Sequence, residues 1–154
     1  MKFKIIFRAT IALLSFCVNA NSLRAENWPG WRGPQQNGLS SEVNIPLKWS
    51  ETENVHWRIP IPGDGHSSPI VWGDSIFVTT AVAEDLSRRL IRVDRESGKI
   101  IWNQVVATGP SETMHRDNTS ASATPVTDGK LVYVSFCLNG RILVAAYSFD
   151  GEAV

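Results

Sequence analysis

Five residues of this 154-residue chain carry side chains suited to chemistry: His66, and the run His115, Arg116, Asp117, Asn118 in the loop "GPSETMHRDNTSASATP". Two imidazoles, a carboxylate and a guanidinium on one surface could hold a metal, a carboxylate or a sugar. As solvated loop residues they would only make local turn hydrogen bonds. No His-x-His or His-x-x-x-His pair sets two imidazoles side by side, so the spacing of a metal site is absent. "GHSSP" lacks the flanking glycines of a nucleophile elbow, and "DRESGK" lacks the glycine spacing of a phosphate loop. Asn118-Thr119-Ser120 fits a glycosylation sequon. Trp28 and Trp31 in "WPGWRGP" offer either a sugar-stacking platform or two pins for an extended lead-in.

These residues sit in loops, so the elements around them must place them. Residues 26–66 are rich in Pro, Gly and Trp and show no helical period. They read as an extended lead-in with one strand at 55–61. Residues 67–108 then contain four short β-rich runs, at 70–72, 75–80, 90–93 and 99–106, with a polar loop at 83–89. Residues 122–154 repeat the pattern at 125–127, 130–136 and 141–149, with a fourth run beginning at Glu152. Asp128-Gly129, Asn139-Gly140 and Asp150-Gly151 separate the runs, and such pairs favour type I′ hairpin turns. Pro69, Gly73 and Val78 lie 56 positions before Pro125, Gly129 and Val134. A four-stranded unit recurring at about 50 residues is the mark of a β-propeller. In the first unit a Trp follows the turn glycine by four residues, Gly98 to Trp102; after Gly151 the chain stops one residue short of that place. The expectation is a truncated ring.

Residues 1–25 read as an export signal. Lys2, Lys4 and Arg8 precede the apolar run 9–18, which is too short to span a bilayer. Removing that segment takes four of the fifteen basic residues, leaving eleven against fifteen acids. A net negative mature chain argues against a nucleic-acid surface, and no membrane span is expected after cleavage. Of the two cysteines, Cys17 leaves with the signal. Cys137, in an apolar strand, reads as a buried inert thiol.

"RVDRESGKIIW" resembles the repeat signature of the pyrroloquinoline-quinone-type β-propellers. Asp94, Ser97, Gly98 and Trp102 fall on its signature positions. The second unit keeps only Asp150 and Gly151. "NWPGWRGPQQNG" and "NVHWRIPIPGDGHSSPIVWGD" look like the start of exported propeller proteins of planctomycete-like bacteria. The resemblance covers about residues 27–154. It implies that the Trp of an outer strand fills the gap between wedge-shaped blades, and that Trp57 is a counterpart of Trp102. Strand 55–61 would then be the outer strand of a blade whose other strands come from missing C-terminal blades. It also implies that the first strand of each unit is innermost, so that the loops holding His66 and His115–Asn118 open onto one rim of a central channel.

The sequence therefore predicts an all-β, incomplete β-propeller. One blade, 67–108, is a complete four-stranded antiparallel sheet, and a second, 122–154, lacks most of its outer strand. With uncovered faces, such a piece is expected to be marginally stable or to self-associate. The leading functional expectation is an exported, periplasmic or secreted, non-catalytic module that presents rim loops to a protein or glycan, as one related propeller scaffold does in outer-membrane protein assembly. No catalytic residue, metal or cofactor is expected. Two alternatives stay open. One is a piece of a quinoprotein dehydrogenase, which would bring PQQ and calcium; the resembling enzymes use a vicinal cysteine pair that this chain lacks. The other is a gene fragment without function.

Overall fold

The computed structural model describes residues 25–154 apart from 44 and 112. The expected export signal lies outside the described residues, except for Ala25. Seven strands form in chain order: β1 (Ile70–Trp72), β2 (Ser75–Val82), β3 (Ser87–Asp94), β4 (Ile100–Thr108), β5 (Val126–Thr127), β6 (Leu131–Leu138) and β7 (Arg141–Ser148). β1 to β4 make one antiparallel meander, and β5 to β7 make a second. The expected fourth run of the second unit is reduced to a single bridge, Tyr147 to Ala153.

Register decides what each face carries, because alternate residues of a strand point to opposite sides. Ile70, Phe77, Arg92 and Trp102 are cross-strand partners and share one face of the first sheet. Thr127, Val132 and Tyr147 share one face of the second, as do Val134 and Ala145. These two faces meet. Ile70, Phe77 and Leu90 pack with Val132, Val134, Phe136 and Tyr147 in one buried cluster. Phe77 lies 5.8 Å from the ring of Trp102 and 5.0 Å from that of Phe149. Burying each large apolar side chain of such a cluster contributes about 1.5–3 kcal/mol.

Tryptophan joins one unit to the next by a repeated contact. The Trp102 indole N–H donates to the Phe149 carbonyl (2.8 Å), and its ring lies where a Cβ on Gly151 would come within 3.2 Å. Trp57 does the same one sheet earlier. It donates to the Arg95 carbonyl (2.9 Å), and a Cβ on Gly98 would come within 2.7 Å of its ring. Each indole thus sits on the closing turn of the following sheet, and glycine is required there for the close approach.

Four expectations change. First, residues 55–61 form no strand. Trp57, Ile59 and Ile61 are half-buried while Arg58 and Pro60 are exposed, so the segment alternates as a strand does, yet it joins no ladder. Pro60 and Pro62 lack the N–H that a ladder needs. The segment instead runs from the turn at Arg95 to the end of β2, where Thr80 donates to the Pro62 carbonyl (2.6 Å) and Asp64 bridges Ala81. Ile91 and Val93, which point to this side of the sheet, are buried.

Second, the polar loop of the first unit is shorter than 83–89. β3 already begins at Ser87, and Ser87 and Arg88 are buried. Third, only Asn139-Gly140 has positive φ at both central positions (51° and 69°), as type I′ requires. Asp128 keeps negative φ because its carboxylate closes the turn, accepting the amides of Lys130 (2.8 Å) and Leu131 (2.9 Å). Fourth, Cys137 is exposed. It pairs with Ile142 on the far face of the second sheet, where Val126, Ile142 and Val144 are exposed too.

Asp94 closes the other kind of turn, accepting the Ser97 amide (2.8 Å) and hydroxyl (2.5 Å). The Ser97 hydroxyl, then its amide, holds the Asp94 carboxyl below the usual carboxylate range. The amides of Leu131 and Lys130, then the Tyr133 hydroxyl, do so for Asp128. Both folded pKa values are depressed, so this stabilisation is complete above the unfolded pKa, about 3.9, and is lost as pH falls through the folded values. The urea midpoint should therefore be level near neutral pH and fall below about pH 4. In Asp128→Asn the acid-induced fall should be smaller than in the parent, measured by circular dichroism.

Candidate functional site on the loop rim

Antiparallel pairing brings three loops to one end of the sheets: residues 63–69 ahead of β1, the β2–β3 turn at 83–86, and the long connection 109–125. Backbone bonds stitch them together. His66 N–H and Ser67 N–H both donate to the Ala121 carbonyl (3.1 and 3.2 Å), and Ser68 N–H donates to the Thr124 hydroxyl (3.0 Å). The Thr79 hydroxyl donates to the Ala123 carbonyl (3.1 Å).

The five chemistry-bearing residues divide three ways on this rim. His66 lines a cavity of about 480 Å³ with Trp31, Ser68, Ser122 and Thr124. Trp31 is 70% exposed there, whereas Trp28 bridges Val71 through its backbone and fixes the lead-in to β1. His115, Arg116 and Asp117 pair among themselves: the Asp117 carboxylate lies 3.4 Å from His115 Nδ1 and 3.5 Å from Arg116 Nε, all well exposed. Such exposed pairs contribute little to stability. Asn118 is spent on its own loop, its Oδ1 accepting the Thr119 amide (2.9 Å) and the Ser122 hydroxyl.

Sequence reading missed Arg88. Its side chain is buried, 1% exposed, and donates to the carbonyls of Leu86 (3.0 Å), Gly109 and Pro110 (3.0 Å). It thereby ties the 109–125 connection to the β2–β3 turn. The available signal was parity: Arg88, Leu90 and Arg92 alternate along β3 and point toward the second sheet. Charge concealed it, since an Arg-Arg pair reads as a solvated loop.

Compared with known protein families, residues 47–153 match the PQQ-like repeat family described as outer membrane protein assembly factor BamB. The chain belongs to that family. No curated protein and no solved structure matches the chain. The two stacked meanders are accordingly part of a PQQ-like β-propeller, one four-stranded blade followed by a three-stranded one. The BamB family match takes in Trp57 and the segment that crosses the first sheet, as well as both blades. Among the described residues no helix is long and apolar enough to cross a membrane.

Proposed function

We propose that this chain is an exported PQQ-like propeller module that binds a protein or glycan through its loop rim and carries out no reaction there. The observation that carries the reading is Trp31, exposed beside His66 in a cavity whose walls come from the lead-in and from both blades. An exposed indole ringed by hydroxyls and an imidazole suits recognition: it offers apolar area at low entropic cost and polar groups around it. Hydrogen-bonded loops on rigid sheets keep that surface in one shape. The description of the family as an outer membrane protein assembly factor supports a protein partner.

Quinone and calcium belong to the alternative of a quinoprotein dehydrogenase piece, and the rim residues do not fit them. Asn118 Oδ1 is engaged by Thr119 and Ser122, and the Asp117 carboxylate faces His115 and Arg116. Among the described residues no three His, Cys, Asp or Glu side chains are grouped to hold a metal ion.

Binding to detergent-solubilised outer-membrane proteins and to envelope glycans, compared on one biosensor, tests the reading. Trp31→Ala combined with His66→Ala should weaken the interaction by about ten-fold or more, as expected of an aromatic anchor. Lys99→Ala combined with Lys130→Ala, at the opposite end of the sheets, should leave it unchanged. Equal effects from the two pairs would remove the rim from the account.

A further inference from the structure

A second cavity on the rim, about 380 Å³, lies between the β2–β3 turn and the 109–125 connection. Arg88, Ser111, Thr113, Asn118, Thr119 and Ser120 are among its walls. Two buried polar atoms of those walls have no hydrogen-bond partner, Arg88 Nε and Thr119 Oγ1. Arg88 is also unusual as a charge. Its guanidinium is buried and meets three backbone carbonyls, and among the described residues no carboxylate pairs with it. A buried charge held only by neutral acceptors is costly, and so is a buried donor without an acceptor. One carboxylate would relieve both.

We propose that this cavity binds a carboxylate-bearing sugar, a uronic acid, with its carboxylate toward Arg88 and Thr119 and its hydroxyls among the serine and threonine side chains. Size favours a sugar over a bare carboxylate. The cavity falls within the roughly 300–1,000 Å³ of small-molecule sites, whereas a carboxylate group occupies only about twice the ~30 Å³ of a water. The lining matches as well. Ser111, Thr113, Thr119 and Ser120 each offer a hydroxyl that donates and accepts, which is what sugar hydroxyls need. The Ser120 hydroxyl already donates to Ser111 Oγ at 3.2 Å, a bond a ligand hydroxyl can replace. Asp64, exposed on the same cavity, offers an acceptor to a sugar hydroxyl at the cost of some repulsion toward the ligand's carboxylate. The proposal rests on the rim being a binding surface, and it names the glycan chemistry of that surface.

Titration calorimetry of the protein with glucuronate, glucose and acetate decides it. Glucuronate should bind, while glucose, lacking the carboxylate, and acetate, lacking the hydroxyls, should each bind at least ten-fold more weakly. Arg88→Lys keeps the charge but removes Nε, and should abolish measurable glucuronate binding. Because Arg88 is buried, Thr119→Val and Ser111→Ala are measured beside it, with near-ultraviolet circular dichroism to establish that each variant is folded. Each should weaken binding about five-fold, the loss of one hydrogen bond. No glucuronate binding, glucose or acetate binding as tightly as glucuronate, or folded Thr119→Val and Ser111→Ala that bind as the parent does would each overturn the proposal. If glucuronate fails while partner binding remains sensitive to Trp31 and His66, this proposal alone falls and the rim reading stands.

Discussion

Trp102→Ala should lower the unfolding free energy by roughly 3 kcal/mol, the lower end of the range for deleting a large aromatic from a packed site. The indole is half-buried, so the upper end is not expected. Three contacts are lost at once. The ring leaves Phe77, 5.8 Å away, and the Gly151 turn, and the Phe149 carbonyl loses the indole N–H. That carbonyl keeps the Arg92 guanidinium (2.8 Å), which limits the polar part of the loss. Trp102→Phe should recover much of the apolar contact without the hydrogen bond, leaving a smaller deficit. Urea unfolding followed by far-ultraviolet circular dichroism gives both numbers. A change below about 1 kcal/mol for Trp102→Ala, the size of an ordinary substitution, would mean that the two sheets do not depend on this contact.

Gly129→Ala should be the more damaging of two turn substitutions that differ in one respect. Gly129 and Gly140 both have positive φ, 86° and 69°, so an alanine strains either backbone by roughly 1–2 kcal/mol. A Cβ at Gly140 meets nothing within 4 Å, so that strain is its whole cost. A Cβ at Gly129 would stand 2.3 Å from Trp72 Cζ2, inside any permissible contact, so the Trp72 ring must leave the turn. The expected total for Gly129→Ala is about 3 kcal/mol or more, since overpacking adds typically 1–3 kcal/mol. Combining it with Trp72→Ala should bring its cost down toward that of Gly140→Ala. Measured separately, the four variants distinguish steric conflict from backbone strain; equal costs for the two glycines would contradict the Trp72 contact.

Much of the fold was legible because its signals are local. The runs around Ile76, Val93, Val134 and Val144 are short and β-rich, and a polar loop, glycine turns or Asn139-Gly140 part them, so turns and strand order follow from neighbouring residues. The 56-residue offset of Pro69, Gly73 and Val78 from Pro125, Gly129 and Val134 led to the repeat. What stayed hidden depends on register over long distances. Cys137 reads as a core residue until the pairing with Ile142 puts it on the open face. Residues 55–61 have the composition of a strand, and only the tertiary arrangement lays them over Ile91 and Val93 in place of an edge. The rim was foreseen as loops, yet its grouping was not. His66 shares a cavity with Trp31, thirty-five positions before it in the lead-in, while His115–Asp117 stays apart. Arg88 was passed over because local reasoning treats charge as solvated, and no local signal reports the three carbonyls that bury it.

The stacking of two like sheets, each sealed by an indole from the segment before it, is most directly tested by proton NMR of the folded protein. The Hα resonances of Gly98 and Gly151 should be shifted upfield by ring currents, with nuclear Overhauser contacts to the indoles of Trp57 and Trp102 respectively. Random-coil glycine shifts at both positions, in a sample whose β-sheet amides are protected from exchange, would contradict the arrangement on which the rim and its cavities depend.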